Sequence, residues 1–270
     1  MTAPNLTTPE TTVTPIAPPL DMTPHRYGWR YVPHKRLDGT IEVKEVTLTL
    51  EDVLHPQEGD VIPENSTHEP ERGYLTWSFR DRLALVPRGH IFSDCLLDFN
   101  VSGVRPLSPD VSVIEGVNGL PLPRLGTYRF ADHGGRCVLA VEIVSPDTRT
   151  NDVDRKPELY YRGGVQQYVL IDQQREDGPR WIVSRRWTPV GYVVEPLDAN
   201  GRARLDVLGL LLGLRDNRVR LYDGATGAEI GDPTEICQEL RREAKARAEA
   251  EKRVRELEEA LRRATEKPVT

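Results

Sequence analysis

The segment RCVLAVEIVS, residues 136–145, is almost continuously apolar, which is the pattern of a strand covered on both faces. A helical stretch over roughly 154–163 follows and stops at Gly163-Gly164. QQYVLID (166–172) is then a second buried strand. Strand, helix, strand over this span is a crossover unit and predicts a parallel pair within an α/β sheet. Upstream, HIFSDCLLDF (90–99) alternates imperfectly and SPDVSVIEGV (108–117) alternates well, giving two further strands. ENSTHEPERGYLTWSFRDRLALV reads as a helix capped by Ser66 or Thr67, with Pro70 in its first turn and Leu75, Phe79 and Leu83 on one face. EVTLTLEDVLHP predicts a short strand or turn before a small helix. Downstream, RWIVSRRW with GYVVEPL, and RVRLYD with AEI, predict two hairpins that extend or decorate the sheet.

The ends of the chain read differently. Residues 1–24 are rich in Thr and Pro with no periodicity, so they are expected to form a disordered tail. From Pro233 the chain lacks glycine and is rich in Ala, Glu, Arg and Leu. Its a/d seam reads Ile236, Leu240, Glu243, Arg247, Ala250, Val254, Leu257, Leu261 and Ala264, mostly apolar. A coiled-coil helix over 233–270 that pairs two copies is the expectation, with a lone solvated helix or a different protein partner as alternatives. The folded domain is then 25–232.

Composition narrows the class only slightly. No apolar run approaches the ~18 residues that span a bilayer, and the N-terminus has neither a basic nor an apolar signal region. Cys95, Cys137 and Cys237 are far apart, without metal-ligand spacing, which favours a reducing cytoplasm over a disulfide framework. The net charge of −6 argues against a protein that coats nucleic acid through basicity, but not against an enzyme acting on it.

The chemistry concentrates around the apolar strand. Val138, Ala140, Glu142 and Val144 alternate onto one face, Leu139, Val141 and Ile143 onto the other. A carboxylate there is costly unless paired, hydrogen-bonded or bound to a metal, and strand ends are where open α/β sheets hold ligands. Asp110, at the start of a neighbouring strand, offers a second carboxylate at the same end, and two such oxygens suit a hard cation such as Mg²⁺. Lys156, at the head of the following helix, could orient or deprotonate water or stabilise charge on a phosphate. Each residue alone also fits a plain structural role: a capped strand end, a turn, a surface lysine. Pro157 requires that the helix start late, with Asp152 or Asp154 near its cap, or that the chain kink.

Pro109-Asp110, then VEIVSPDTRTNDVDRK, then YYRGGVQQYVLID resemble the Uma-two family, restriction-endonuclease-like proteins of the PD-(D/E)XK nuclease superfamily. The resemblance runs from about residue 47 to 232. It implies an α/β fold with a mixed central sheet, flanking helices and a restriction-endonuclease-like core. Asp110 and Glu142 match the metal-binding acids, with the Ile143 carbonyl as a further ligand, and Lys156 matches a lysine moved from the strand onto the next helix. His68 matches a histidine often found near the first helix; Glu58 and Asp60 are candidates for an outer acid. The implied activity is Mg²⁺- or Mn²⁺-dependent hydrolysis of DNA, by a homodimer joined through the coiled coil. The competing reading is a catalytically inactive nuclease-fold scaffold or DNA-binding module working through its coiled coil. A small-molecule metal hydrolase would share the same site.

Overall fold

The computed structural model describes residues 27–62, 68–146 and 148–265. The chain runs β1 (Trp29–Lys35), β2 (Ile41–Thr47), α1 (Leu50–Leu54), α2 (His68–Asp81), β3 (His90–Ser93), β4 (Leu96–Asp98) and β5 (Val111–Val117). Then come β6 (Thr127–Arg129), α3 (Phe130–His133), β7 (Gly134–Ile143), α4 (Lys156–Arg162), β8 (Gln167–Gln173), β9 (Arg180–Thr188) and β10 (Gly191–Glu195). The last elements are β11 (Ala203–Leu205), β12 (Leu210–Arg215), β13 (Arg218–Asp223), β14 (Glu229–Ile230) and α5 (Pro233–Thr265).

Six strands form the central mixed sheet in the order β10-β9-β8-β7-β5-β3. The pair β7–β8 is parallel, joined through α4 as the crossover pattern predicts, and the other neighbours are antiparallel. Both faces of β7 are covered, which is why its sequence is continuously apolar. On one face Leu139, Val141 and Ile143 pack with Leu75 and Phe79 of α2 and with Leu205, Leu212 and Leu221. On the other, Ala140 and Val144 pack with Tyr160 of α4, Tyr168, Leu97 and Tyr128. Glu142 belongs to this second face. Val138 does not, contrary to simple alternation: the β5 register shifts between Val113↔Leu139 and Ile114↔Cys137. Val138 is the extra residue of that bulge and turns into the α2-side core.

Other expectations need correction. HIFSDCLLDF is two strands, because Asp94 takes a left-handed φ of 50° and breaks the run. The α2 helix ends at Asp81, before Leu83, which sits in a short 3₁₀ turn; Ser66 and Thr67 lie outside the described residues. The hairpin β9–β10 extends the main sheet, whereas β13–β14 belongs to a separate four-stranded sheet, β11-β12-β13-β14. That sheet covers the α2 side of the core, tied to α2 by Tyr74, whose hydroxyl donates to the Ile230 carbonyl at 2.6 Å. The Thr/Pro-rich tail lies outside the described residues.

The small helix before α2 is fixed at its start by a reciprocal cap. The Asp52 N–H donates to Thr49 Oγ1, and the Thr49 N–H donates to Asp52 Oδ2. At the end of α4, Gly164 takes φ 76°, and a Cβ on Gly163 would lie 2.8 Å from the Phe99 ring. This pair therefore answers both a turn and a close approach. The α5 helix, 33 residues long, leaves Ile236, Leu240, Val254, Leu257 and Leu261 exposed. At its root, Glu235 Oε1 accepts from Arg218 and Arg220, each at 2.8 Å. Among the described residues no helix is long and apolar enough to cross a membrane.

Candidate active site

The crossover brings the acids together. Antiparallel pairing of β5 with β7 ends at Val111↔Val141. One residue further, Asp110 lies across from Glu142, a spacing at which facing Cβ atoms sit ~4.5–5.5 Å apart. The Ile143 N–H donates to Asp110 Oδ2 at 2.7 Å and fixes that carboxylate. Both acids, with His68, Arg72, Asp152 and Lys156, line one cavity of about 1000 Å³.

Lys156 is not at the surface. Its Nζ donates to Glu142 Oε1 at 2.9 Å and to Asp152 Oδ1 at 2.7 Å. Tyr160, one turn on, donates its hydroxyl to the same Glu142 Oε1 at 2.8 Å. Asp152 is held in turn by Thr148, whose Oγ1 donates to Oδ2 at 2.9 Å, while Tyr168 donates to the Asp152 carbonyl at 2.9 Å. Asp152 therefore has both oxygens committed. Among the described residues Glu142 Oε2 has no hydrogen bond, and Asp110 Oδ1 has only a distant Arg72 guanidinium at 4.0 Å.

The helix geometry explains this convergence. Residues Asn151–Arg155 form a single π-helical turn that hands over to α4 at Lys156, with Pro157 in the first α-helical turn where its missing N–H costs nothing. The helix starts late, as Pro157 required, with Arg155 at its N-cap and Asp154 beside it, while Asp152 bonds Lys156. The residues 152, 156 and 160 thus make one inward face, and their i, i+4 spacing was the sequence signal for Asp152 and Tyr160. Arg149 of the SPDTR stretch lies elsewhere: it forms a two-pronged pair with Asp172 of β8, both contacts at 2.9 Å.

Electrostatics follow from burial. Burial pushes the Asp110 carboxyl up to about 6, against the Ile143 N–H and Lys156, which pull it down. Burial likewise pushes Glu142 up to about 8, opposed by Lys156 and reinforced by the neighbouring Asp152 and Asp110 carboxylates. Burial acts to lower the Lys156 ammonium, but Asp152 and Glu142 outweigh it and hold it above its ordinary range. Burial, followed by Arg180, keeps His68 below the usual imidazole value.

The donor set fits a hard divalent cation. Two carboxylates in mutual repulsion, Glu142 buried and Asp110 half-buried, each keep one oxygen unengaged, and Mg²⁺ needs few protein oxygens because it retains waters. Among the described residues no group of three or more His, Cys, Asp or Glu side chains is placed to hold a metal ion, so any such ion would rest on these two acids with main chain and water. Asp60 lines the same cavity with both oxygens engaged: Arg30 Nε pairs with Oδ1 at 2.9 Å, and the Gln57 N–H donates to Oδ2. Glu58 lines the same cavity.

Comparison with known proteins bears on family. A solved structure from Anabaena variabilis, described as a "putative nuclease belonging to DUF820", is similar at 15% identity. It covers 64% of this chain and 80% of its own with a TM-score of 0.40, too distant to inform the site. No curated protein matches. A family model described as "Uma2: Putative restriction endonuclease" matches residues 57–193, a narrower span than 47–232 that holds the whole cavity-lining set of acids and the lysine. That span is half of the 270 residues, and the chain belongs to the Uma2 family.

Proposed function

We propose that this chain is a divalent-metal-dependent endonuclease acting on DNA. The observation that supports it best is the pair Asp110 and Glu142, set across from each other on neighbouring strands in one cavity, each with an oxygen left over. Asp110 Oδ1 and Glu142 Oε2 are the atoms that would hold Mg²⁺ or Mn²⁺, with the Ile143 carbonyl as a further ligand. A bound cation would supply Lewis-acid stabilisation of the phosphate and lower the pKa of the attacking water.

The chain's own groups divide the remaining work. Lys156, held protonated by two carboxylates, acts as a fixed positive charge and donor towards the phosphate and not as a base. Tyr160 and Lys156 both bond Oε1, so they orient Glu142 with Oε2 towards the cavity. His68, half-buried at the head of α2 and held below the ordinary imidazole value by burial, is an acceptor for a proton or hydrogen bond from water.

The test is cleavage of single-stranded, duplex and branched DNA with Mg²⁺ or Mn²⁺ by wild type, Asp110→Asn and Glu142→Gln. Loss of about 10²-fold or more in both variants, with the fold intact, is expected. Cleavage unaffected by either change, or absent with every divalent ion, contradicts the proposal and favours a scaffold acting through α5.

A further inference from the structure

The least accounted-for feature outside the cavity is the ribbon β1–β2. It forms a sheet of two strands only, and its apolar side chains are bare: Tyr31 is 59% exposed, Ile41 72% and Val43 63% on one face, with Val32 and Val46 exposed on the other. A two-stranded ribbon covered on neither face is marginal on its own.

The hydrogen-bond phase shows which edge is open. The Arg36 N–H donates to the Thr40 carbonyl and the Leu48 N–H to the Gly28 carbonyl, so even-numbered residues pair inside the ribbon. Odd-numbered residues turn their main-chain groups outward. On β1 that outer edge is interrupted, because Trp29 pairs with Val61 and Pro33 has no N–H to offer. On β2 the outward groups of Ile41 and Val43 meet no partner strand among the described residues.

We propose that this β2 edge pairs antiparallel with the β2 edge of a second copy of the chain, with Val43 on the two-fold axis. Symmetric antiparallel pairing through these outward groups must place one residue opposite itself, and centring on Glu42, Lys44 or Glu45 would set like charges face to face. Centring on Val43 pairs Ile41 with Glu45 of the second copy and sets Glu42 opposite Lys44 of the second copy, twice by symmetry. The other outward centres, Ile41, Glu45 and Thr47, put like charges together or shorten the ladder. Lys44 has no ion partner among the described residues, so pairing supplies one. Pro33, Val43 and their symmetry mates then form one apolar row across four strands.

The interface is small, so the test is sedimentation equilibrium of the full chain at roughly 5–100 µM. Wild type is expected to be a reversible dimer. Lys44→Glu and Glu42→Lys each place like charges opposite at two points and should weaken it about tenfold, whereas the double reversal restores the opposite-charge pairs and should return to within about threefold. Glu42→Lys also removes the ribbon's own Arg36–Glu42 pair; Lys44→Glu does not. A monomeric wild type, a double variant no tighter than the singles, or a dimer sensitive only to Leu257→Arg and Leu261→Arg in α5 overturns the inference.

Discussion

Lys156→Met keeps the stem of the side chain and deletes the ammonium that Glu142 Oε1 and Asp152 Oδ1 share at 2.9 and 2.7 Å. All three side chains are nearly inaccessible, at 11%, 4% and 6% exposure. Removing one partner of such a buried set leaves uncompensated charge and costs about 3–5 kcal/mol, softened as Glu142 takes up a proton. At about 2–4 °C per kcal/mol for a domain of this size, the Tm should fall by roughly 6–20 °C. Asp152→Asn leaves the Lys156–Glu142 pair intact and should cost less, about 1–3 kcal/mol. Combining the two changes removes one charge of each sign while Tyr160 still bonds Glu142. The double variant should therefore cost less than the sum by about 1–3 kcal/mol. Urea unfolding in metal-free buffer, followed by circular dichroism, measures all three. A Lys156→Met protein within about 1 kcal/mol of wild type, or strictly additive costs, refutes the buried triad.

Glu142 has a folded-state value of about 8 against an ordinary 4.5. A raised carboxyl stabilises fully below its unfolded value and loses that contribution as pH rises through the folded one. Metal-free wild type should therefore lose Tm relative to Glu142→Gln across roughly pH 4.5–8 and run parallel to it above; parallel curves throughout contradict the shift. Gly163→Ala should cost about 1–3 kcal/mol, because the new methyl meets the Phe99 ring at 2.8 Å; a neutral effect in thermal unfolding refutes that contact. Arg149→Lys cannot reproduce the two-pronged bond to Asp172 and should lower stability by about 1–2 kcal/mol, with cleavage per folded molecule little changed. A large loss of cleavage without loss of stability would move Arg149 into the site.

Much of the central sheet was legible because burial leaves a clear mark. Two-sided cover made β7 and β8 continuous apolar runs, and the gap between them fixed a parallel crossover. Of the β1–β2 ribbon only the end of β2 was read, as a short strand or turn before the small helix; β1, exposed over most of its length and carrying Pro33, shows no burial signal. The strand β4 was read as one with β3, and its partner β6 is three residues long, too short for any period to emerge. The bulge at Val138 is a single-residue slip that alternation cannot reveal.

In the site, Asp110, Glu142 and Lys156 were visible as polar residues out of place. The inward turn of Asp152 was not legible, since an acid near a helix start usually serves its cap and a π turn has no simple sequence signature. The Arg30 partner of Asp60 was not visible in the sequence, because it lies 30 residues earlier on an element that the sequence did not disclose.

The most direct test is Mn²⁺ binding at neutral pH, followed by electron paramagnetic resonance, to wild type, Asp110→Asn and Glu142→Gln. One ion per wild-type chain is expected, with affinity lost by about 10-fold or more in each variant. Equal binding by all three proteins, or none by wild type, contradicts the two-carboxylate site.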